Sequence, residues 1–62
     1  MTHLLFDSEA AELLRLTSRQ VAKLAKRGEL PHVVLPGGEV RYDPDDLAKW
    51  VAARKRPGGE IG

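Results

Sequence analysis

The chain has 62 residues, no cysteine and a formal net charge of +1. A chain of this length forms one small domain, and without cysteine it has neither disulfides nor thiolate zinc sites to support it. No apolar run approaches the roughly 18 residues of a membrane span, and the first residues lack the basic start of a signal peptide, so we expect a cytoplasmic protein without a membrane partner. His3 and His32 lack metal-ligand spacing, which predicts no metal site.

A first helix is predicted to begin at Asp7 or Ser8, because either side chain can cap the first turn. Leu5 and Phe6 precede this start and can pack against the entry of the helix. The helix is expected to end near Arg15, and its apolar face follows helical spacing through Ala10, Leu13 and Leu14.

A second helix is predicted to open at Thr17, because Thr17 and Gln20 stand three residues apart as in a capping box. Its inner face consists of Val21, Leu24 and Ala25. Gly28 stands where a left-handed cap ends a helix, and Pro31 prevents the helix from resuming. Only about three residues separate the two helices, which is the length of a helix-turn-helix corner.

Two β-prone runs on either side of Pro36-Gly37-Gly38 predict a hairpin. If Val33, Leu35, Val40 and Tyr42 face inward, then Val34 and Arg41 face outward. A third helix is predicted from its cap Asp43 to about Arg54, with Pro44 at the first helical position. Its apolar face consists of Leu47, Trp50 and Val51.

The predicted fold class is therefore mainly helical α+β, in the order helix, turn, helix, two-stranded hairpin, helix. Residues 1–54 are expected to form the domain. Residues 55–62, with Lys55, Arg56 and the glycines that follow, are expected to form a flexible basic tail.

Positive charge is concentrated in the second helix and near the tail. On a helical projection Arg19, Ala22, Lys23 and Lys26 share the face opposite Val21, Leu24 and Ala25. A basic helix face is often only solvated, but three features together favour DNA: no acid interrupts the face, the preceding helix has helix-turn-helix spacing, and a glycine-tipped hairpin follows. Arginine and lysine reach guanine acceptors or phosphates, and the small Ala22 permits close approach to the major groove.

Chemistry-bearing side chains elsewhere have simpler interpretations. Trp50 and Tyr42 are predicted to pack in the core, and Asp43, Asp45 and Asp46 are predicted to serve the start of the third helix. Arg54-Lys55-Arg56 is compatible with a solvated helix end, a DNA-backbone contact or a docking tail. No nucleophile–base pair or phosphate-binding loop is visible, so we expect no catalytic residue, no cofactor and no enzymatic activity.

An ordered set of short motifs resembles a known family. The set consists of Leu13-Leu14, Thr17-x-Arg19, Val21, Leu24, Lys26-Arg27-Gly28-Glu29-Leu30-Pro31, Leu35-Pro36-Gly37-Gly38, Arg41-Tyr42 and Asp46-Leu47-x-x-Trp50-Val51. It resembles the excisionase-type helix-turn-helix domain, a branch of the MerR-like winged helices, over residues 4–53. Relatives often have a larger side chain at the position of Ala22 and a basic one at the position of Glu39.

The resemblance implies a winged helix-turn-helix that binds double-stranded DNA. By this resemblance the major groove would receive Ser18, Arg19, Gln20, Ala22 and Lys23. The DNA backbone would be met by Lys26 and Arg27. The wing would use Gly37, Gly38 and Arg41.

The implied role is that of an excisionase, a recombination directionality factor that binds and bends attachment-site DNA cooperatively and promotes integrase-mediated excision. An integrase, and further copies of the same chain on DNA, are the partners expected with this role, in a prokaryotic cell or a phage-infected host. The alternative is a small MerR-like transcriptional regulator with the same DNA-binding mode. A third hypothesis is a protein-interaction module that places the basic helix on an acidic partner.

Overall fold

The computed structural model of the protein describes residues 3–58. Its elements are α1 (Asp7–Leu14), α2 (Ser18–Lys26), β1 (Val33–Val34), β2 (Val40–Arg41) and α3 (Pro44–Ala53), and the two strands form an antiparallel hairpin. The predicted mainly helical α+β, winged helix-turn-helix architecture is confirmed. Of the expected tail, residues 55–58 are exposed and outside any helix or strand, whereas residues 59–62 lie outside the described part of the chain.

The start of α1 differs from the prediction. Phe6, not Asp7 or Ser8, holds the N-cap position, with extended backbone angles φ −76° and ψ 166°. Its side chain carries no acceptor, but its N–H donates to the Glu9 carboxylate at 2.9 Å. This is one half of a capping box, in which the third helical residue reaches back to the cap. Asp7 and Glu9 then lie in the first turn, where the helix dipole favours negative charge.

The buried face of α1 is formed by Ala10 and Ala11, with Leu14 half-buried beside them. The prediction that Leu13 faces inward is wrong, because its side chain is 59% exposed. Leu13 lies about 100° around the helix from Leu14, which marks the middle of the buried stripe. Two alanines at this contact allow the backbone of α1 to lie close to α2.

The predicted capping box at α2 is confirmed in both directions. The N–H of Gln20 donates to Thr17 Oγ1 at 3.1 Å, and the N–H of Thr17 donates to Gln20 Oε1 at 2.9 Å. The predicted glycine cap at the other end is confirmed as well, with Gly28 at φ 73°. The N–H of Gly28 donates to Ala25 at 3.0 Å and that of Glu29 to Leu24 at 2.9 Å, which is a Schellman motif.

The core lies where the three helices and the hairpin meet. Its buried side chains are Ala10, Ala11, Val21, Ala25, Leu30, Tyr42 and Leu47. Trp50 packs against this cluster, as predicted, but Val51 is 39% exposed and does not complete the expected apolar face of α3. The described residues include no helix long and apolar enough to cross a membrane.

The hairpin pairs Val33 with Arg41 and Val34 with Val40. Directly paired residues project from the same face of an antiparallel pair, so Val33 shares the face of Arg41 rather than that of the inward-facing Val40 and Tyr42. The prediction that Val33 and Leu35 face the core with Val40 is therefore wrong. Val34 is 62% exposed, as predicted, although the register places it on the face of Val40 beyond the edge of the core.

A third extended segment, which sequence patterns did not predict, joins the hairpin. The N–H of Leu5 donates to Tyr42 at 2.7 Å, and the N–H of Tyr42 donates to Leu5 at 3.0 Å. This antiparallel bridge ties the residues before α1 to the strand that leaves the wing. The hairpin is thus attached to the helix-turn-helix through the entry of α1.

Candidate nucleic-acid interface

The outward face of α2 is the principal candidate surface. Arg19, Ala22, Lys23 and Lys26 are all exposed, whereas Val21 and Ala25 on the opposite side are buried. Within residues 3–58 no ion pair or hydrogen bond engages the side chains of Arg19, Lys23 or Lys26. Three cations therefore surround one methyl-sized side chain without any intramolecular neutralisation.

The N-terminal turn of α2 carries Ser18 and Gln20. Ser18 is exposed at the first helical position, next to backbone N–H groups that can donate to an anion. Gln20 is exposed too, but its Oε1 is engaged by the N–H of Thr17, so the amide group is held toward the helix start. Only the amide nitrogen of Gln20 remains to donate outward.

The C-terminal end of α2 differs from its middle because an acid lies beside it. Nη2 of Arg27 is 2.8 Å from Oε2 of Glu29, and both side chains are about half exposed. An exposed pair of this kind contributes little to folding, so Arg27 can exchange the carboxylate for a phosphate at small cost. Lys26, one residue earlier, has no such neighbour in the described residues.

The wing turns at Leu35-Pro36-Gly37-Gly38. The N–H of Gly38 donates to Leu35 at 2.9 Å, and Gly37 has φ 97°, as a type II turn with proline in second place requires. Gly38 has a positive φ of 87° as well, and a Cβ at either glycine would meet nothing within 4 Å. Backbone conformation, rather than crowding within this chain, accounts for both glycines.

Arg41 is turned away from the tip of the wing. Its guanidinium carbon lies 4.5 Å from the centre of the Phe6 ring, and its Nη1 donates to the Val40 carbonyl at 2.8 Å. A third neighbour, Glu39, is 3.9 Å away through Oε2. The cation predicted for the wing therefore lies against the entry of α1, and its side chain is only 23% exposed.

A mainly apolar cleft of about 280 Å³ separates α2 from the wing. Its lining includes Ala22, Lys26, His32, Val40 and the buried Tyr42. The Tyr42 hydroxyl has no hydrogen-bond partner in the described part of the chain. Burial, and after it the nearby carboxylate of Asp7, raises the pKa of Tyr42 to about 12. This hydroxyl stays protonated at neutral pH.

The structure thus gathers the predicted residues into two groups. The first group, on α2, consists of Ser18, Arg19, Gln20, Ala22, Lys23, Lys26 and Arg27. The second group, on the wing, consists of Gly37, Gly38 and Arg41. Sequence patterns missed Phe6 and Glu29 as neighbours of the two arginines at the edges of this surface. Glu29 lies two residues from Arg27 and was detectable, whereas Phe6 meets Arg41 only through the fold.

The acidic and histidine side chains that the structure describes do not form a metal site beside this surface. Among residues 3–58 there is no group of three or more histidine, cysteine or acidic side chains that could hold a metal ion. Asp43 and Asp45 belong to the start of α3, where Oδ1 of Asp43 accepts from the N–H of Asp45 at 2.9 Å.

Comparison with known protein families gives a match over most of the chain. The model of a protein family described as a helix-turn-helix domain matches residues 7–55. The matched stretch contains α1, α2, the hairpin and α3. The comparisons with curated proteins and with solved structures gave no match.

Proposed function

Because this chain belongs to the family of helix-turn-helix domains, we propose that it is a sequence-specific DNA-binding protein whose α2 enters the major groove. The family binds DNA and is typically non-enzymatic. The observation that carries the proposal is the exposed α2 face, on which Arg19, Lys23 and Lys26 have no ion-pair or hydrogen-bond partner among residues 3–58. A strongly solvated cation without a neighbouring acid is free to bind guanine or phosphate.

The roles along α2 follow from position. Arg19 and Lys23 flank Ala22 and would approach base edges, with Ser18 and the Gln20 amide donating near the positive helix end. Lys26 and Arg27 at the far end would meet the DNA backbone. The wing would place Gly37 and Gly38 close to the adjacent DNA backbone or to the minor groove.

We further propose an excisionase role, in which the protein bends attachment-site DNA and assists an integrase in a prokaryotic cell or phage-infected host. The ordered motifs of the excisionase-type branch support this role. A single recognition helix binds DNA weakly, so adjacent copies of the protein would bind DNA cooperatively. Regulation of transcription by the same DNA-binding mode is the alternative, since both roles use the same surface.

Salt dependence of duplex binding tests the DNA proposal. If Arg19, Lys23, Lys26 and Arg27 release counterions, log affinity should fall with log salt with a slope of about −3 to −4. Replacing Arg19 and Lys23 together by alanine should weaken binding at least tenfold and flatten this slope by about 1 to 2. Lys49→Ala, an exposed cation on α3, is the matched control and should leave both values nearly unchanged. The proposal is contradicted if the affinity for duplex DNA does not change with salt concentration, or if the double variant binds with wild-type affinity.

Two assays separate excision from regulation. Circularly permuted DNA fragments that carry the bound site should migrate differently if the protein bends DNA. An excision assay with the integrase encoded nearest to this gene should depend on the protein, and on Arg19 and Lys23. Binding without bending and without any effect on excision would favour the transcriptional regulator.

A further inference from the structure

We propose that Arg41 is a positioning residue, which holds the wing against the entry of α1 through the ring of Phe6 instead of contacting DNA. This inference rests on the proposed function, because it concerns how the DNA-binding surface is built. It assigns to Phe6 a part in that surface. It also removes the one evident cation of the wing from the set of phosphate contacts.

Strand register places the two side chains together. Leu5 and Tyr42 form an antiparallel bridge with two backbone hydrogen bonds of 2.7 and 3.0 Å. The next residues along this pair, Phe6 and Arg41, are therefore directly opposite each other and project from the same face. Such opposite pairs are the unit by which neighbouring extended segments stabilise one another.

Three contacts hold the Arg41 side chain in this position. The guanidinium lies over the Phe6 ring at 4.5 Å, within the range of a cation–π interaction. The same group donates to the carbonyl of Val40 at 2.8 Å and lies 3.9 Å from the Glu39 carboxylate. An arginine that reached for phosphate would give up all three contacts, and Glu39 would oppose the phosphate.

The location of this pair explains what it can control. Phe6 caps α1, and an open cleft beside Phe6 and Arg41 is also lined by Ser18 at the start of α2. The Phe6–Arg41 pair therefore lies between the wing and the N-terminal turn of the proposed reading helix. Loosening the pair changes the angle at which Gly37 and Gly38 meet DNA, without touching any residue of α2.

The wing itself fits this assignment. Its tip carries Pro36, Gly37 and Gly38, followed by the exposed acid Glu39, and the apolar Val34 is exposed on the other strand. With Arg41 turned back and Glu39 negatively charged, the described part of the wing offers DNA backbone groups and apolar surface rather than positive charge. Van der Waals contacts act only at short range, so they depend on the exact position of the wing more than on electrostatic attraction to DNA.

A double-mutant cycle in DNA affinity tests the assignment. Phe6→Leu and Arg41→Gln should each weaken binding about three- to tenfold, and the double variant should bind about as weakly as either single variant, because both remove the same contact. Arg41→Gln should leave the log–log salt slope unchanged, whereas loss of a phosphate contact flattens it by about 0.9. Lys26→Gln, at a proposed backbone contact, is the control for a flattened slope, and Leu13→Ala is the control for loss of an exposed apolar side chain.

Three results would overturn the assignment: a slope flattened by about 0.9 in Arg41→Gln, fully additive losses in the double variant, or normal affinity in Phe6→Leu. A measurement without DNA separates this inference from the proposed function. In the free protein, the Arg41 side-chain protons should show upfield NMR shifts from the Phe6 ring, and Phe6→Leu should abolish them. Absence of these shifts sinks the positioning role, whereas a wild-type protein that shows them but binds no DNA sinks only the proposed function.

Discussion

Nε1 of Trp50 donates a hydrogen bond to the backbone carbonyl of Glu29 at 2.8 Å. This bond joins α3 to the segment that ends α2, across a sequence separation of 21 residues. The same indole ring lies under the guanidinium of Arg54, whose carbon is 4.0 Å from the ring centre. Trp50 is thus a structural anchor that fixes the end of the proposed reading helix, and Arg54 covers one face of its ring.

Loss of this hydrogen bond should destabilise the fold without altering the DNA-binding surface. Trp50→Phe keeps an aromatic ring but leaves the Glu29 carbonyl without its donor, and we expect a loss of about 1 kcal/mol in the free energy of unfolding. In a domain of this size that lowers the melting temperature by about 4 to 8 °C, measurable by circular dichroism. Arg54→Gln is the control, and it should lose less than half as much because it leaves the Trp50–Glu29 hydrogen bond and the packing of the indole ring in place. Equal stability of Trp50→Phe and wild type contradicts the anchor role.

The Schellman motif at Gly28 makes a second stability prediction. Gly28 has φ 73°, and a Cβ there would meet no atom within 4 Å, so the only penalty for a side chain is conformational. Gly28→Ala should reduce the free energy of unfolding by about 1 kcal/mol. Gly28→Asn should lose clearly less, since asparagine tolerates the left-handed region. Urea denaturation measures both variants, and equal losses would show that conformation is not the cause.

Alkaline stability should depend on Tyr42. The unfolded chain releases the phenolic proton near its ordinary pKa of 10.0, whereas the folded chain retains the proton until about pH 12. The contribution is therefore fully present below pH 10 and is lost as the pH rises toward 12, with a loss of roughly 1 kcal/mol by pH 11. Urea denaturation at pH 9 and pH 11 measures this change.

Tyr42→Phe is the matched variant for this pH dependence. It removes the ionisable group, so between pH 9 and pH 11 it should lose less stability than the wild type, by roughly 1 kcal/mol. At pH 7 the variant should be about as stable as the wild type, because the buried hydroxyl makes no direct hydrogen bond in the described residues and has only the Asp7 carboxylate nearby to lose. Identical pH profiles of the two proteins would refute the assignment of the raised pKa.

The ion pair between Arg27 and Glu29 makes a prediction for DNA affinity. Glu29→Gln frees Arg27 and removes a negative charge beside the proposed backbone contact, so duplex affinity at low salt should rise about two- to threefold. Glu12→Gln removes the same charge from the exposed surface of α1 and is the control, with a smaller expected gain. Fluorescence anisotropy with labelled duplex measures both. Equal gains in the two variants would mean that only net charge matters.

Local sequence signals predicted most of the helix boundaries. The Thr17–Gln20 capping box, the left-handed Gly28 and the Asp43 cap with Pro44 behind it depend on contacts within a few residues, so spacing alone is informative. The cationic face of α2 is local in the same sense, because helical periodicity places Arg19, Lys23 and Lys26 together whatever the rest of the chain does.

The incorrect predictions concern positions whose burial depends on an element far away in the sequence. Leu13 and Val51 follow helical spacing but remain exposed, because α1 and α3 each present a narrower stripe to the core than the pattern suggested. Strand alternation predicts that Val33 lies on the inner face, but its pairing with Arg41 places it on the opposite face. Short strands carry little periodic information, so their register is set by tertiary packing.

By itself, the sequence determined the order of elements, the helix caps and the charged face of α2, since all of these follow from interactions between near neighbours. Tertiary structure alone decided that Arg41 meets Phe6 and that Trp50 meets the Glu29 carbonyl. Phe6 and Arg41 are 35 positions apart, and the antiparallel bridge from Leu5 to Tyr42 is what brings them face to face. Periodicity predicts which face of an element a residue occupies, but only the tertiary fold determines which residue it contacts there.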